Sequence, residues 1–341
     1  MMKTKKYFPG LESGIWILMF ILTLNACTNS DKQKSGDEKV VKADEFTRLN
    51  EDIAGNPGDA SLYFRRAIVF DQRKNLKQAF EDISKAVILD SGKATYFLLL
   101  ADISFKGLQI QKAINAFKKA IELEPENKEA HLKLSELYLY LKAYPQSLAE
   151  ANEALKIDKN AAKAYFIKGF AYKETADTPK AISSFQTATE LQSDYYDAYI
   201  QLGNIQAARK NSIAVQYYNN ALRLQPLSTE AYYNRGLAFQ NMGELDKAIE
   251  DYKTILKLNI RYSEAHFNLG YIDLVFKKDY KSAIAHFTDA IRSNDLYAEA
   301  FFNRGLAYEY SGNKSAAIKD YNEALKIIPT YKLAKQKLKG M

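Results

Sequence analysis

The apolar and polar positions of this chain form a phrase that returns about every 34 residues. Residues 232–252 read YYNRGLAFQNMGELDKAIEDY and residues 301–321 read FFNRGLAYEYSGNKSAAIKDY, with HFNLGYIDLVFKKDYKSAIAHF (266–287) as a third copy between them. Each phrase holds two apolar-faced segments of helical length, so the pattern predicts antiparallel helix pairs, A then B, repeated along the chain. The chain opens differently. Lys3, Lys5 and Lys6 precede an unbroken apolar run over 15–22, and a polar stretch, TNSDKQKSGDEKVVKAD, follows Cys27.

Aligning the copies gives eight repeats: 60–93, 94–127, 128–161, 162–195, 196–228, 229–262, 263–297 and 298–330. Position 20 is Ala79, Ala113, Ala181, Ala214, Ala248, Ala283 and Ala317, with Ser147 in the third copy. Position 8 is small throughout, from Ala67, Ala101 and Ser135 to Gly169, Gly203, Gly236, Gly270 and Gly305. Position 27 is Ala in every copy but the sixth, which has Ile255. Small side chains at these spacings are expected where helices A and B cross closely. Pro125, Pro226 and Pro329 close helix B, where a missing N–H does least harm. The fifth copy is one residue short and the seventh one long, changes the inter-helix turn is expected to absorb.

The phrase resembles the tetratricopeptide repeat, with its Leu-Gly or equivalent in helix A, its A-x3-F in helix B and its closing Pro. The resemblance covers roughly four fifths of the chain and implies an all-α fold, a right-handed α-solenoid whose A helices line a concave groove. Each repeat buries its apolar face only against its neighbours, so the ends need caps. Residues 45–59 read as a half-repeat cap and 331–341 as a Lys-rich amphipathic capping helix around the eight repeats of 60–330.

The front of the chain has the layout of a secretory signal, its apolar core well short of the about 20 residues that span a bilayer. It ends in Leu24-Asn25-Ala26-Cys27, which resembles the lipobox of bacterial lipoproteins, with Asn25 departing from the usual small residue. That resemblance implies a signal peptide over 1–26, acylation (palmitate among the chains) at Cys27, and a membrane anchor. Cys27 is the one cysteine, so no internal disulfide framework is available. Residues 27–44 are too poor in apolar surface to fold alone and read as a disordered tether. Thr28 in place of the Asp associated with inner-membrane retention implies the outer membrane as the location in the cell envelope.

Composition excludes little and motifs exclude more. With 47% apolar and 26% charged residues the chain has material for a packed fold. It carries no H-E-x-x-H, Gly-rich phosphate loop, G-x-S-x-G or Cys pair, so no enzyme activity, metal or cofactor is expected. His131 and His266 fall at a packing position of helix A, and His286 lies beside Phe287 on a helix B. The formal charge of +7, or +5 after processing at Cys27, is modest and has no basic block that would suit a nucleic acid.

Two patterns single out residues. Arg66, Arg235 and Arg304 replace the usual Leu at position 7, and only in those repeats is position 23 an aspartate: Asp82, Asp251 and Asp320. Intra-repeat ion pairs are expected, each worth roughly 0.2–1 kcal/mol if exposed. Position 6 reads Asn234, Asn268 and Asn303 in the last three repeats, which resembles the asparagine ladder of superhelical tetratricopeptide proteins that hold extended peptides. In that reading Tyr233, Phe267, Tyr271, Phe302 and Tyr310 supply apolar pockets beside carboxamides that pair with a peptide backbone. No copy has the Lys at position 5 that a carboxylate clamp needs. The sequence therefore points to a membrane-anchored scaffold or adaptor for a protein or extended peptide segment, serving assembly, secretion or maintenance of the bacterial envelope. The alternative is a lipoprotein receptor for a non-protein ligand such as a glycan.

Overall fold

Eighteen α-helices and no strand make up the described residues, 37–341, of the computed structural model, with side chains described from residue 45. The signal segment 1–26 and Cys27 lie outside them. One boundary is corrected. The first helix runs Asp37–Gly55, so residues 37–44, expected in the tether, carry helical backbone. Its Leu49 and Ile53 pack on Leu62 and Val69 of the next helix. No helix among the described residues is long and apolar enough to cross a membrane.

The chain divides into two units, one ending at Leu191 and the other Gln192–Met341. Within each, helix pairs stack in chain order. In the first unit Ala60–Gln72 pairs with Leu76–Leu89, Ala94–Lys106 with Ile110–Leu123, Lys128–Tyr140 with Tyr144–Ile157, and Ala162–Glu174 with Thr178–Leu191. In the second, Tyr196–Ala208 pairs with Ala214–Leu224, Thr229–Met242 with Leu245–Leu258, Ser263–Ile272 with Tyr280–Ser293, and Ala298–Tyr310 with Lys314–Ile327. The last helix, Lys332–Lys339, buries Ala334 against the eighth repeat. Every pair turns through one residue of left-handed backbone: Lys74, Leu108, Lys142, Ala176, Lys210, Gly243, Lys278 and Gly312. That conformation ends helix A and frees the chain to reverse.

The position-8 glycines have a more specific cause than close backbones. A Cβ on Gly169 would stand 2.7 Å from the Phe185 ring, and one on Gly236 2.8 Å from Tyr252. Gly305 meets Tyr321 in the same way, at 2.7 Å. A fully buried aromatic ring of helix B thus packs against the bare backbone of helix A. The third repeat has no such ring: Ser135 stands opposite Ser147 and Ala151, and its hydroxyl donates to the Ser147 carbonyl at 2.6 Å.

The two irregular repeats are accommodated differently. In the fifth, the missing residue shortens helix B, which starts at Ala214 and has 11 residues where the others have 14. In the seventh, the extra residue is not absorbed in the turn as expected. It forms a π-helical turn, Asp273–Lys277, at the end of helix A. The wider i→i+5 turn takes up the added residue.

Candidate functional site

Position 7 arginines are three-way links. Arg66 donates from Nε and Nη2 to the two carboxylate oxygens of Asp82, at 2.7 and 2.8 Å. Arg235 does the same to Asp251 at 2.9 and 2.6 Å, and Arg304 to Asp320 at 2.7 and 2.8 Å. The third donor, Nη1, reaches helix B of the preceding repeat or, for Arg66, the first helix. It bonds Asn50 at 2.9 Å, Asn219 at 2.6 Å and Thr288 at 3.1 Å. The aspartates are buried, at 7%, 2% and 3% exposure, so the energy expected of an exposed pair does not apply. These residues are spent on the fold.

The asparagine row is uneven. Asn234 is half-buried. Asn268 is only 7% exposed, its carboxamide shut against the Tyr233 hydroxyl. Asn303 donates from Nδ2 to the Glu299 carbonyl of its own helix at 2.7 Å. The expectation of three equivalent carboxamides facing a ligand is corrected: Asn303 is turned onto its own backbone and Asn268 is enclosed.

The aromatic residues are likewise walls more than open pockets. Tyr233 packs 5.9 Å from Tyr262, Phe267 stacks on Tyr297 at 5.0 Å, and Phe302 lies 5.1 Å from Tyr331. Phe302 is buried, which removes it from direct contact with a partner. Tyr271 is half-buried beside Phe276. Tyr310 is 54% exposed, with its ring 5.6 Å from Tyr280. Tyr262, Tyr297 and Tyr331 were not singled out from the sequence. Their signal was a tyrosine at the close of the sixth and seventh repeats and directly after the eighth.

A second feature missed in the sequence is the acidic row at position 2 of the last four repeats: Asp197, Glu230, Glu264 and Glu299. Burial, together with the nearby charge of Glu230, pushes the Asp197 carboxyl up to about 6. Burial also raises Glu230, which accepts a 3.4 Å bond from the Tyr196 hydroxyl. Desolvation pushes the Tyr262 hydroxyl up to about 12, and raises Tyr233. The face thus carries half-buried tyrosines edged with carboxylates.

The histidines are held by the fold. His131 Nδ1 lies 2.7 Å from Glu150 Oε2 and Nε2 3.1 Å from the Pro125 carbonyl. His266 Nε2 is 3.0 Å from the Ile260 carbonyl, and its ring is 6.3 Å from that of His286. Among the described residues no group of three or more His, Cys, Asp or Glu is placed to hold a metal ion.

Three family models described as tetratricopeptide repeat match the chain, at 229–262 with 298–331, at 109–166 and at 162–195. The BBSome complex member BBS4 of Bos taurus is 23% identical over 293 residues, 86% of this chain and 54% of that protein. Tetratricopeptide repeat protein 6 of Homo sapiens is 24% identical over 291 residues, 83% of this chain and 56% of that protein. The chain thus spans about half the length of these curated relatives. Among solved structures, the C-terminal part of a TPR repeat-containing protein from Cytophaga hutchinsonii superposes with a TM-score of 0.59 at 19% identity, covering 69% of this chain and 97% of that one. The matched segments 162–195 and 229–262 coincide with the fourth and sixth repeats, each folded as the helix pair its phrase predicts, and the chain belongs to the tetratricopeptide repeat family.

Proposed function

We propose that this protein is a membrane-anchored scaffold that binds a protein segment on the A-helix face of Gln192–Met341, in the service of envelope assembly, secretion or maintenance. The observation that carries the reading is the row of aromatic contacts at one-repeat spacing on this face, Tyr233 with Tyr262, Phe267 with Tyr297 and Phe302 with Tyr331, beside Tyr310, which is 54% exposed. The family's helix-pair fold supports the scaffold class, and the absence of catalytic motifs from the sequence is in keeping with it. Lipid attachment at Cys27 and residence at the outer membrane form part of the same proposal and rest on the Leu24-Asn25-Ala26-Cys27 sequence.

The test is photocrosslinking in cells of the source organism. A crosslinking amino acid at Asn303 or Tyr310, both on the A-helix face, is expected to capture a protein partner. The same residue at Lys253 or Lys281, exposed on B helices, is expected to capture none. Equal capture from both faces would remove the assignment.

A further inference from the structure

Within each unit every B helix hands over to the next A helix through a short turn, so these turns share one edge of the stacked pairs. In Gln192–Met341 three successive turns hold an exposed apolar side chain: Leu227, Ile260 and Leu296, at 74%, 70% and 71% exposure. Only two other large apolar side chains among the described residues are as exposed, Ile88 and Leu108. In the unit ending at Leu191 the equivalent turns, 90–93, 124–127 and 158–161, contain no Leu, Ile, Val, Met or Phe. Single exposed leucines are ordinary, whereas a row of them at one-repeat spacing marks a contact surface.

A second observation concerns the charges on either side of that row. Each B helix of Gln192–Met341 carries a cation in its last turn: Arg223, Lys257, Arg292 and Lys326. Each A helix paired with them carries an acid in its first turn: Asp197, Glu230, Glu264 and Glu299. The helix dipole favours both placements. It acts equally in the other unit, yet there only Lys156 and Glu129 follow the pattern among the paired helices. The apolar row therefore runs between a basic rim on the B side and an acidic rim on the A side. Within the turns Arg261 and Asp295 add one charge of each sign.

The two rims choose the occupant. An anionic bilayer would be repelled by the exposed Glu264 and Glu299, and a partner of one charge would suit one rim and oppose the other. A second copy turned about a two-fold axis parallel to the row matches both, because that rotation exchanges the A side with the B side. Lys257 then faces Glu264 of the partner subunit, and Arg292 faces Glu299 of the partner subunit, each contact occurring twice. A two-fold axis across the row would set acid against acid. Arg292 already donates to Asp289 of its own helix at 2.7 Å, but that pair is exposed and weakly held.

We propose that Leu227, Ile260 and Leu296 form the centre of a homodimer interface, closed on both sides by the reciprocal contacts of the two rims. The interface lies at the turn edge and leaves the middle of the A helices open to a ligand.

The test is the polypeptide mass of the full chain in detergent, read by sedimentation equilibrium. The parent is expected to be a dimer. L227S/I260S/L296S is expected to raise the dimer dissociation constant by about tenfold or more, while I88S/L108S, equally exposed in the other unit, leaves it unchanged. K257E/R292E makes both rims acidic and E264K/E299K makes both basic, so each alone is expected to be monomeric. An equimolar mixture of the two is expected to recover the dimer mass, which also shows that both variants are folded. A monomeric parent, a dimer that survives in L227S/I260S/L296S, or a mixture that stays monomeric overturns the proposal. A monomeric parent carried down with phosphatidylglycerol vesicles, and released by L227S/I260S/L296S, overturns it in favour of a lipid surface.

Discussion

Arg66, Arg235 and Arg304 each tie three helices together, and the partner that matters most is the buried aspartate. Removing the guanidinium leaves a carboxylate shut away from water with no counter-charge. Arg235→Met is therefore expected to destabilise the protein by about 3–5 kcal/mol, read from urea unfolding, while R235M/D251N recovers most of the loss. Asp197 has the opposite character. It binds a proton near pH 6 in the folded chain against 3.8 ordinarily. Between those values the folded state holds the extra proton, so this group's contribution to stability is full below about 4 and falls as pH rises through about 6. Melting curves are expected to show the parent gaining on Asp197→Asn as pH is lowered across that window. The Arg–Asp pairs were legible in the sequence because two positions change together. Their burial was not, since it depends on how helix B of the preceding repeat covers them.

At the scale of the helix pair, two local rules carry the fold. A buried ring in helix B needs bare backbone in helix A, so Gly236→Ala, whose Cβ would fall 2.8 Å from Tyr252, is expected to cost about 1–3 kcal/mol. The turn between the helices needs a left-handed residue, and six of the eight such sites are not glycine. Leu108 has φ 57° and is 73% exposed, so Leu108→Gly gives up little packing and relieves the strained backbone. A gain of about 0.5–1 kcal/mol in thermal unfolding is expected. The need for small residues at position 8 could be read from the sequence. The π-helical turn over Asp273–Lys277 could not, because a one-residue insertion fits either the turn or the helix, and packing chose the helix.

At the scale of the whole molecule, the proposal joins a lipid anchor to a binding face on Gln192–Met341. The anchor is testable with the sequence alone. Trp16 is the sole tryptophan and precedes Cys27, so protein purified from membranes is expected to lack indole fluorescence. Cys27→Ser is expected to move the protein into the soluble fraction. Tryptophan emission from the purified wild-type protein would mean that the segment is retained.

The sequence by itself determined the number of helix pairs, their boundaries to within a few residues and the family, because period and small-residue spacing are properties of the chain written in order. The tertiary structure decided which side chains remain available. Phe302 and Asn268 share the register of Tyr233 and Asn303, yet Phe302 is shut in against Tyr331 and Tyr321 and Asn268 against Tyr233. The burial of Asp197 and Glu230 emerged only once their surroundings were known. Exposure and charge compensation are set by residues about 30 positions away, brought near by stacking, and no local pattern encodes them.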